Sequence, residues 1–230
     1  MIKKFFKNWN SFEIFFLIFS LLIISICFLV GSDKNILTLI VSLLGIFTVI
    51  CGAKGLVISP FINIIYNIIY IILCFSQKFY GEVLIYIFIM TPINIFTIIS
   101  WLKNRSNENK AIVKINKIEK KEYVILGIIA TFITFAFYFL LKSLNNSSLL
   151  ISTLSLTDSF IASYLLFRRS SNYALIYIIN DVILIILWLT TIPSEGFIYL
   201  PVIVTFAIFL INDIYGLIMW KKREKIQNHK

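Results

Sequence analysis

This chain of 230 residues has one histidine, His229, and three cysteines. It also has four prolines, and only 14% of its residues are charged. Each scarcity excludes a class of function. With a single histidine near the C-terminus, no His-based general base or His-rich metal site can be assembled in the body of the chain. Cys27, Cys51 and Cys74 have no CxxC spacing, so neither a zinc site nor a disulfide framework is expected, and they read as small apolar packing residues. No GxxxxGK[ST] phosphate loop and no nucleophile motif occurs, so an enzyme or a self-powered ATP pump is not expected, and neither is a metal or cofactor. The scarcity of charge, with 60% hydrophobic residues and a mean hydropathy of +0.94, excludes a soluble domain.

What is present is long apolar segments. Eight are visible, at roughly 12–30, 36–53, 57–76, 83–101, 123–141, 148–166, 172–190 and 197–220. Each is near the ~20 apolar residues needed to cross a ~30 Å hydrocarbon core. The first follows the basic stretch Met1–Lys7, as in a signal peptide. Its run from Phe12 to Val30 is too long for that, and Phe28-Leu29-Val30 is no small-residue cleavage site, so a first transmembrane helix is expected.

Threading eight spans sorts the basic residues: 18 of 21 Lys and Arg fall on the side of the termini, and only Lys34, Lys78 and Lys142 on the other. Cytoplasmic loops retain positive charge, so a multi-pass protein of the inner (plasma) membrane with both termini cytoplasmic is expected. The net charge of +10 lies in short loops rather than on one folded face, so it points to anionic lipid, not nucleic acid.

The chain divides at a polar stretch, 102–122, read as a cytoplasmic linker carrying at most a short surface helix. The two halves resemble each other. Gly81-Glu82 precedes the fourth span, and Trp101-Leu102-Lys103 ends it. Glu195-Gly196 precedes the eighth, and Trp220-Lys221-Lys222 ends it. Asn67 in the third span corresponds to Asn180 in the seventh, and Asn94 to Asp213. Spans 2–4 and 6–8 then form two triplets, and span 5 restores direction, which makes the copies parallel. Parallel repeats of this kind occur in transporters, with the substrate at the repeat interface. The expected divisions are a tail and additional helix over 1–35, a first triplet over 36–101 and the linker over 102–122. A linker helix over 123–147, a second triplet over 148–220 and a cytoplasmic tail over 221–230 follow.

Polar residues within the spans come almost entirely from the triplets: Asn63, Asn67, Asn94, Asp158, Ser163, Asn180, Asp181, Asn212 and Asp213. Asn and Ser can serve as interhelical packing groups worth ~0.6 kcal/mol. Carboxylates cost ~2.5–3.5 kcal/mol at a helix centre. No Lys or Arg lies deep enough to pair with Asp158, Asp181 or Asp213, so these must be protonated, face water or bind ligand, and a proton relay is one reading of them. Tyr66, Tyr70, Tyr173, Tyr177, Trp188 and Tyr215 lie near the polar set and suit a flat, uncharged or weakly charged heterocycle. Asn67, Asn94 and Asn180 are expected to converge on one cavity, with Tyr173 stacking at its edge.

Several blocks resemble the PnuC-type nicotinamide riboside and vitamin-precursor transporters. They are Gly45-Ile46-Phe47-Thr48-Val49 with Ala53-Lys54-Gly55, the run from Asn67 through Tyr80-Gly81-Glu82 to Pro92-Ile93-Asn94 and Trp101, Ala162 to Arg169, Asn180, and Tyr215-Gly216 with Trp220-Lys221. The resemblance covers about 40–225. It implies an all-α membrane protein of eight transmembrane helices, a 3+1+3 SWEET-like bundle with an additional N-terminal helix. It further implies import of nicotinamide riboside by facilitated diffusion, with a cytosolic kinase trapping the product without a required physical complex. The substrate-binding positions it implies are Asn67, Asn94, Ser163, Tyr173, Asn180 and Asn212. The chain departs from the family pattern where Ser163 and Asn94 replace Gln and where Tyr173 and Ile176 replace two Trp. Relatives carry thiamine, riboflavin or deoxynucleosides, so these are the alternative cargoes. A non-transport assembly or sensor subunit is the alternative class, and homo-oligomerisation is left open.

Overall fold

The structure is a computed structural model and describes residues 9–30, 35–146 and 148–228. Lys3, Lys4, Lys7, Lys34 and Lys230, which contribute to the charge asymmetry, lie outside them, as does His229. Among the described residues, eight helices are long and apolar enough to cross a membrane. They are α1 (Ser11–Val30), α2 (Ile36–Ala53), α3 (Ser59–Ser76), α4 (Tyr80–Lys103), α5 (Lys120–Ser143), α6 (Leu149–Phe167), α7 (Tyr173–Leu189) and α8 (Leu200–Asn228). A single helical turn, Ile192–Glu195, lies between α7 and α8.

Local chemistry sets the ends. Asn10 and Glu13 cap α1 reciprocally: Glu13 N donates to Asn10 Oδ1 and Asn10 N to Glu13 Oε2, both at 2.8 Å. Asn35 Oδ1 accepts from Leu37 N at 2.9 Å and caps α2. Gly55, with φ +64°, turns the chain out of α2, while Leu56 N donates back to Cys51 O at 2.9 Å. In α4 the residues Tyr86–Met90 form a π-helical turn directly before Thr91-Pro92. Proline has no N–H, and its ring would collide with the carbonyl four residues earlier; the wider turn relieves both problems.

Six helices close a ring. Contacts run α2–α3, α3–α4, α4–α6, α6–α7, α7–α8 and α8–α2. Exchanging α2 with α6, α3 with α7 and α4 with α8 maps each of these contacts onto another. The tryptophans follow the same exchange. Trp101, ending the membrane part of α4, donates to Leu166 O of α6 at 3.2 Å. Trp220 in α8 donates to Gly52 O and Ala53 O of α2 at 3.2 and 3.0 Å. The two indoles are 5.9 Å apart, centroid to centroid. Helices α1 and α5 pack outside the ring, α1 on α2 and α8, α5 chiefly on α6. Their outward faces, with Phe15, Phe132 and Phe135 exposed, suit lipid rather than water. This is a multi-pass membrane protein.

Two segments differ from the sequence expectation. The stretch 104–119 carries no helix; it is an extended strap tied across the helix ends. Val113 N donates to Gly55 O, Val57 N to Ala111 O and Asn116 N to Arg169 O, at 2.9 to 3.0 Å. Its Val113, Ile115 and Ile118 are buried with Trp101, Trp220 and Leu165. Val113 and Ile115 alternate as in an extended chain, and Ile118 follows at a three-residue step, so no helical stripe is continued. Residues 221–228, read as a tail, continue α8. Arg223 donates to Lys54 O and Ala53 O at 2.9 and 3.2 Å, which gives this polar extension a packed partner.

Candidate functional site

The ring encloses a small cavity of about 80 Å³, open on one side. The cavity is built from helical faces. Tyr173, Tyr177, Asn180, Asp181 and Leu184 share one side of α7, and Phe206, Phe209 and Asp213 one side of α8. These spacings of three, four and seven residues put the side chains in register on the inner surface. Helix α2 adds Thr48, Val49 and Gly52, α3 adds Ser59, Asn63 and Tyr66, and the π turn of α4 adds Tyr86 and Met90. A Cβ at Gly45 would lie 2.6 Å from the tip of the Phe209 ring and 3.0 Å from Tyr66, so only glycine lets both rings pack on α2 there.

Asn180 lies seven residues into α7 and nine from its end, about 10 and 13 Å along the axis. It is buried, and its Nδ2 donates to Ser155 O at 3.1 Å, which fixes the amide at the cavity wall. From this level the cavity runs toward the helix ends that join the basic loops: Gly52 closes α2, Ser59 opens α3 and Leu166 closes α6. On that side Tyr173 packs 4.8 Å from Trp220, and its hydroxyl donates to Gly52 O at 3.3 Å. On the opposite side aromatic rings fill the ring of helices. Tyr70 lies 4.7 Å from Tyr86 and 6.2 Å from Trp188, and Trp188 lies 5.2 Å from Phe79 and 5.1 Å from Tyr199. Trp188 Nε1 donates to the Tyr70 hydroxyl at 3.0 Å, joining α7 to α3 across this seal.

Of the six binding positions expected from sequence, Tyr173 and Asn180 line the cavity, and the other four lie one layer behind it. Asn67 donates to Thr91 Oγ1, and Asn94 accepts from Asn63 Nδ2, both at 3.4 Å, so both sit in the α3–α4 interface and only Asn63 reaches the cavity. Of the three asparagines expected to converge, Asn180 lines the cavity, Asn67 and Asn94 pack behind it, and the π turn of α4 contributes Tyr86 and Met90. Ser163 donates to Met90 Sδ at 2.8 Å and is 3.1 Å from the Tyr177 hydroxyl, so it braces two lining residues. Asn212 donates to Val49 O at 3.0 Å and to Asp213 Oδ1 at 3.2 Å, which orients the aspartate. Asp181 and Asp213 line the cavity; Asp158 is half-buried and is not part of the lining.

Sequence reasoning passed over Asn63 as a site residue, and Tyr86, Met90, Phe206 and Phe209 altogether. Stepping back from Asp213 by four and seven residues finds the two phenylalanines. No sequence signal beyond Pro92 marks the π turn. Tyr215 lies outside the cavity and donates to Glu13 Oε1 at 3.1 Å, and Glu13 is paired with Lys54, which ties α1 to α2 and α8. Glu82, read only as the start of a span, is completely buried one turn before Tyr86, beside Ser155 of α6. No group of three His, Cys, Asp or Glu side chains arranged to hold a metal occurs among the described residues.

Comparisons with known proteins agree with this architecture. The chain is 22% identical over 226 residues to the nicotinamide riboside transporter PnuC of Neisseria mucosa, covering 97% of this chain and 86% of that one. It is 25% identical over 227 residues to the PnuC of Haemophilus influenzae, covering 98% and 96%. The crystal structure of the vitamin B3 transporter PnuC superposes with a TM-score of 0.85 at 22% identity, over 97% of this chain and 96% of that one. The profile of the nicotinamide mononucleotide transporter family matches residues 35–222. With that match across all six ring helices, the chain belongs to the nicotinamide mononucleotide transporter family, a family of membrane transporters and not of enzymes.

Proposed function

We propose that this protein imports nicotinamide riboside by facilitated diffusion. The observation that carries the proposal is the central cavity, lined by four tyrosines and an amide fixed at mid-helix, in a family whose curated relatives are nicotinamide riboside transporters. Tyrosine faces suit a flat pyridine ring, and the Asn180 amide can exchange hydrogen bonds with the carboxamide or the ribose. With both termini cytoplasmic, as the basic loops favour, the cavity reaches toward the cytoplasm and the Tyr70–Trp188 seal closes the outer side. Transport then requires the seal to open as the two triplets, which we take as duplicated copies, rock about the cavity. The conformational cycle needs no fuel; a cytosolic kinase that phosphorylates the incoming riboside sustains the gradient.

The test is a calorimetric binding screen of the purified protein with nicotinamide riboside, thiamine, riboflavin and deoxynucleosides. A smaller ring at Tyr173 and no ring at Ile176, where the family pattern has Trp, make the wider panel necessary. Saturable binding of nicotinamide riboside above the others is the expected result. Preference for another member of the panel overturns the cargo, and binding of none overturns the site.

A further inference from the structure

We propose that Asp181 and Asp213 form a cation subsite in this cavity, so that the site selects a heteroaromatic monocation over a neutral ring of the same shape. The inference rests on the nicotinamide riboside reading, whose pyridinium ring carries a positive charge, and adds what the cavity recognises in it.

Three observations converge. Both aspartates line the cavity from adjacent helices, α7 and α8, and are only 3% and 5% exposed. Asp181 Oδ2 has no hydrogen-bond partner, although the residue is buried and belongs to the cavity wall. Asp213 is held by one donor, Asn212 Nδ2, which is itself anchored to Val49 O. Secondly, the lining contains no Lys, Arg or His. The nearest cation along α8, Lys221, is eight residues or ~12 Å past Asp213, and its ammonium is engaged by Asn172 Oδ1 and Glu224. A buried carboxylate without a counter-charge is costly, and a cationic ligand in the cavity would relieve that cost. Thirdly, the rings of Tyr66, Tyr86, Tyr173 and Tyr177 surround the same space, and their negative faces also favour a cation. The arrangement therefore complements a delocalised positive charge on a flat ring. It disfavours the same nucleoside bearing a phosphate or a ring carboxylate, because either group brings like charge toward the pair.

The experiment compares calorimetric binding of nicotinamide riboside with that of its 1,4-dihydro form, which keeps the carboxamide and ribose but is neutral. Wild-type protein should bind the cation at least tenfold more tightly. Asp181→Asn and Asp213→Asn, isosteric and uncharged, should each narrow that ratio by weakening the cation more than the neutral form. If wild-type protein binds both forms equally, the cation subsite is overturned while the riboside assignment stands. Binding of neither form overturns the assignment and the subsite together. Ratios unchanged in both variants also overturn the subsite, since the rings alone would then supply the preference. Should a variant fail to run as a single species in gel filtration, the wild-type comparison decides.

Discussion

Asn180 is held from one side by Ser155 and faces ligand space on the other, so its removal separates binding from folding. Asn180→Leu keeps the branching and heavy-atom count of the side chain and deletes one neutral hydrogen bond to ligand, worth ~0.5–1.5 kcal/mol. Affinity for nicotinamide riboside should fall up to about tenfold, with expression and gel-filtration behaviour retained; unchanged affinity by calorimetry would count against the mid-helix site. Gly45 acts through packing. In Gly45→Ala the new methyl meets the Phe209 ring at its tip, and the ring must yield toward the cavity. Riboside affinity should drop several-fold, and the larger Gly45→Val should abolish binding while a melting curve still shows a folded protein. At this scale the sequence is half legible. An Asn or Asp in an apolar span stands out because burying it is costly, and Asn180, Asp181 and Asp213 do reach the cavity. A Phe or Met there is indistinguishable from one facing lipid, which hides Phe206, Phe209 and Met90.

At the scale of elements, hydropathy locates the spans, because water exclusion over ~20 residues is a strong physical demand. It cannot see what happens at their polar ends, where side chains choose partners brought together only by the fold. The strap 104–119 and the continued end of α8 show this: both read as solvent-exposed charge, yet Val113 is 1% exposed and Arg223 caps α2. The strap joins the α2–α3 turn to the α6–α7 turn, and hence one triplet to the other. Val113→Asp sets a carboxylate into the cluster of Trp101, Trp220 and Leu165, at a cost of about 3 kcal/mol. A lowered melting temperature is expected, together with faster tryptic cleavage at Lys110, Lys114 and Lys117 as the strap lifts. Cleavage at the wild-type rate would mean that the strap is not held by its apolar side chains. The π turn of α4 is a further case. Pro92 hints at an irregularity, but only the packed bundle shows that it turns Tyr86 and Met90 toward the cavity.

For the whole molecule, six ring helices surround one cavity, sealed on one side by Tyr70, Trp188, Phe79 and Tyr199. The six helices themselves were legible as apolar spans. The closure of the ring was not, since it depends on α4 meeting α6 and α8 meeting α2 across long separations in sequence. Under the facilitated diffusion proposed above, such a ring moves its cargo only down the electrochemical gradient. The most direct measurement is uptake of labelled nicotinamide riboside into kinase-free proteoliposomes with the membrane potential clamped at zero. Saturable uptake should exceed that of protein-free liposomes, stop when inside and outside concentrations are equal, and persist with a protonophore present. Uptake that is no faster than in protein-free liposomes, or that collapses with the protonophore, would contradict facilitated diffusion through this cavity.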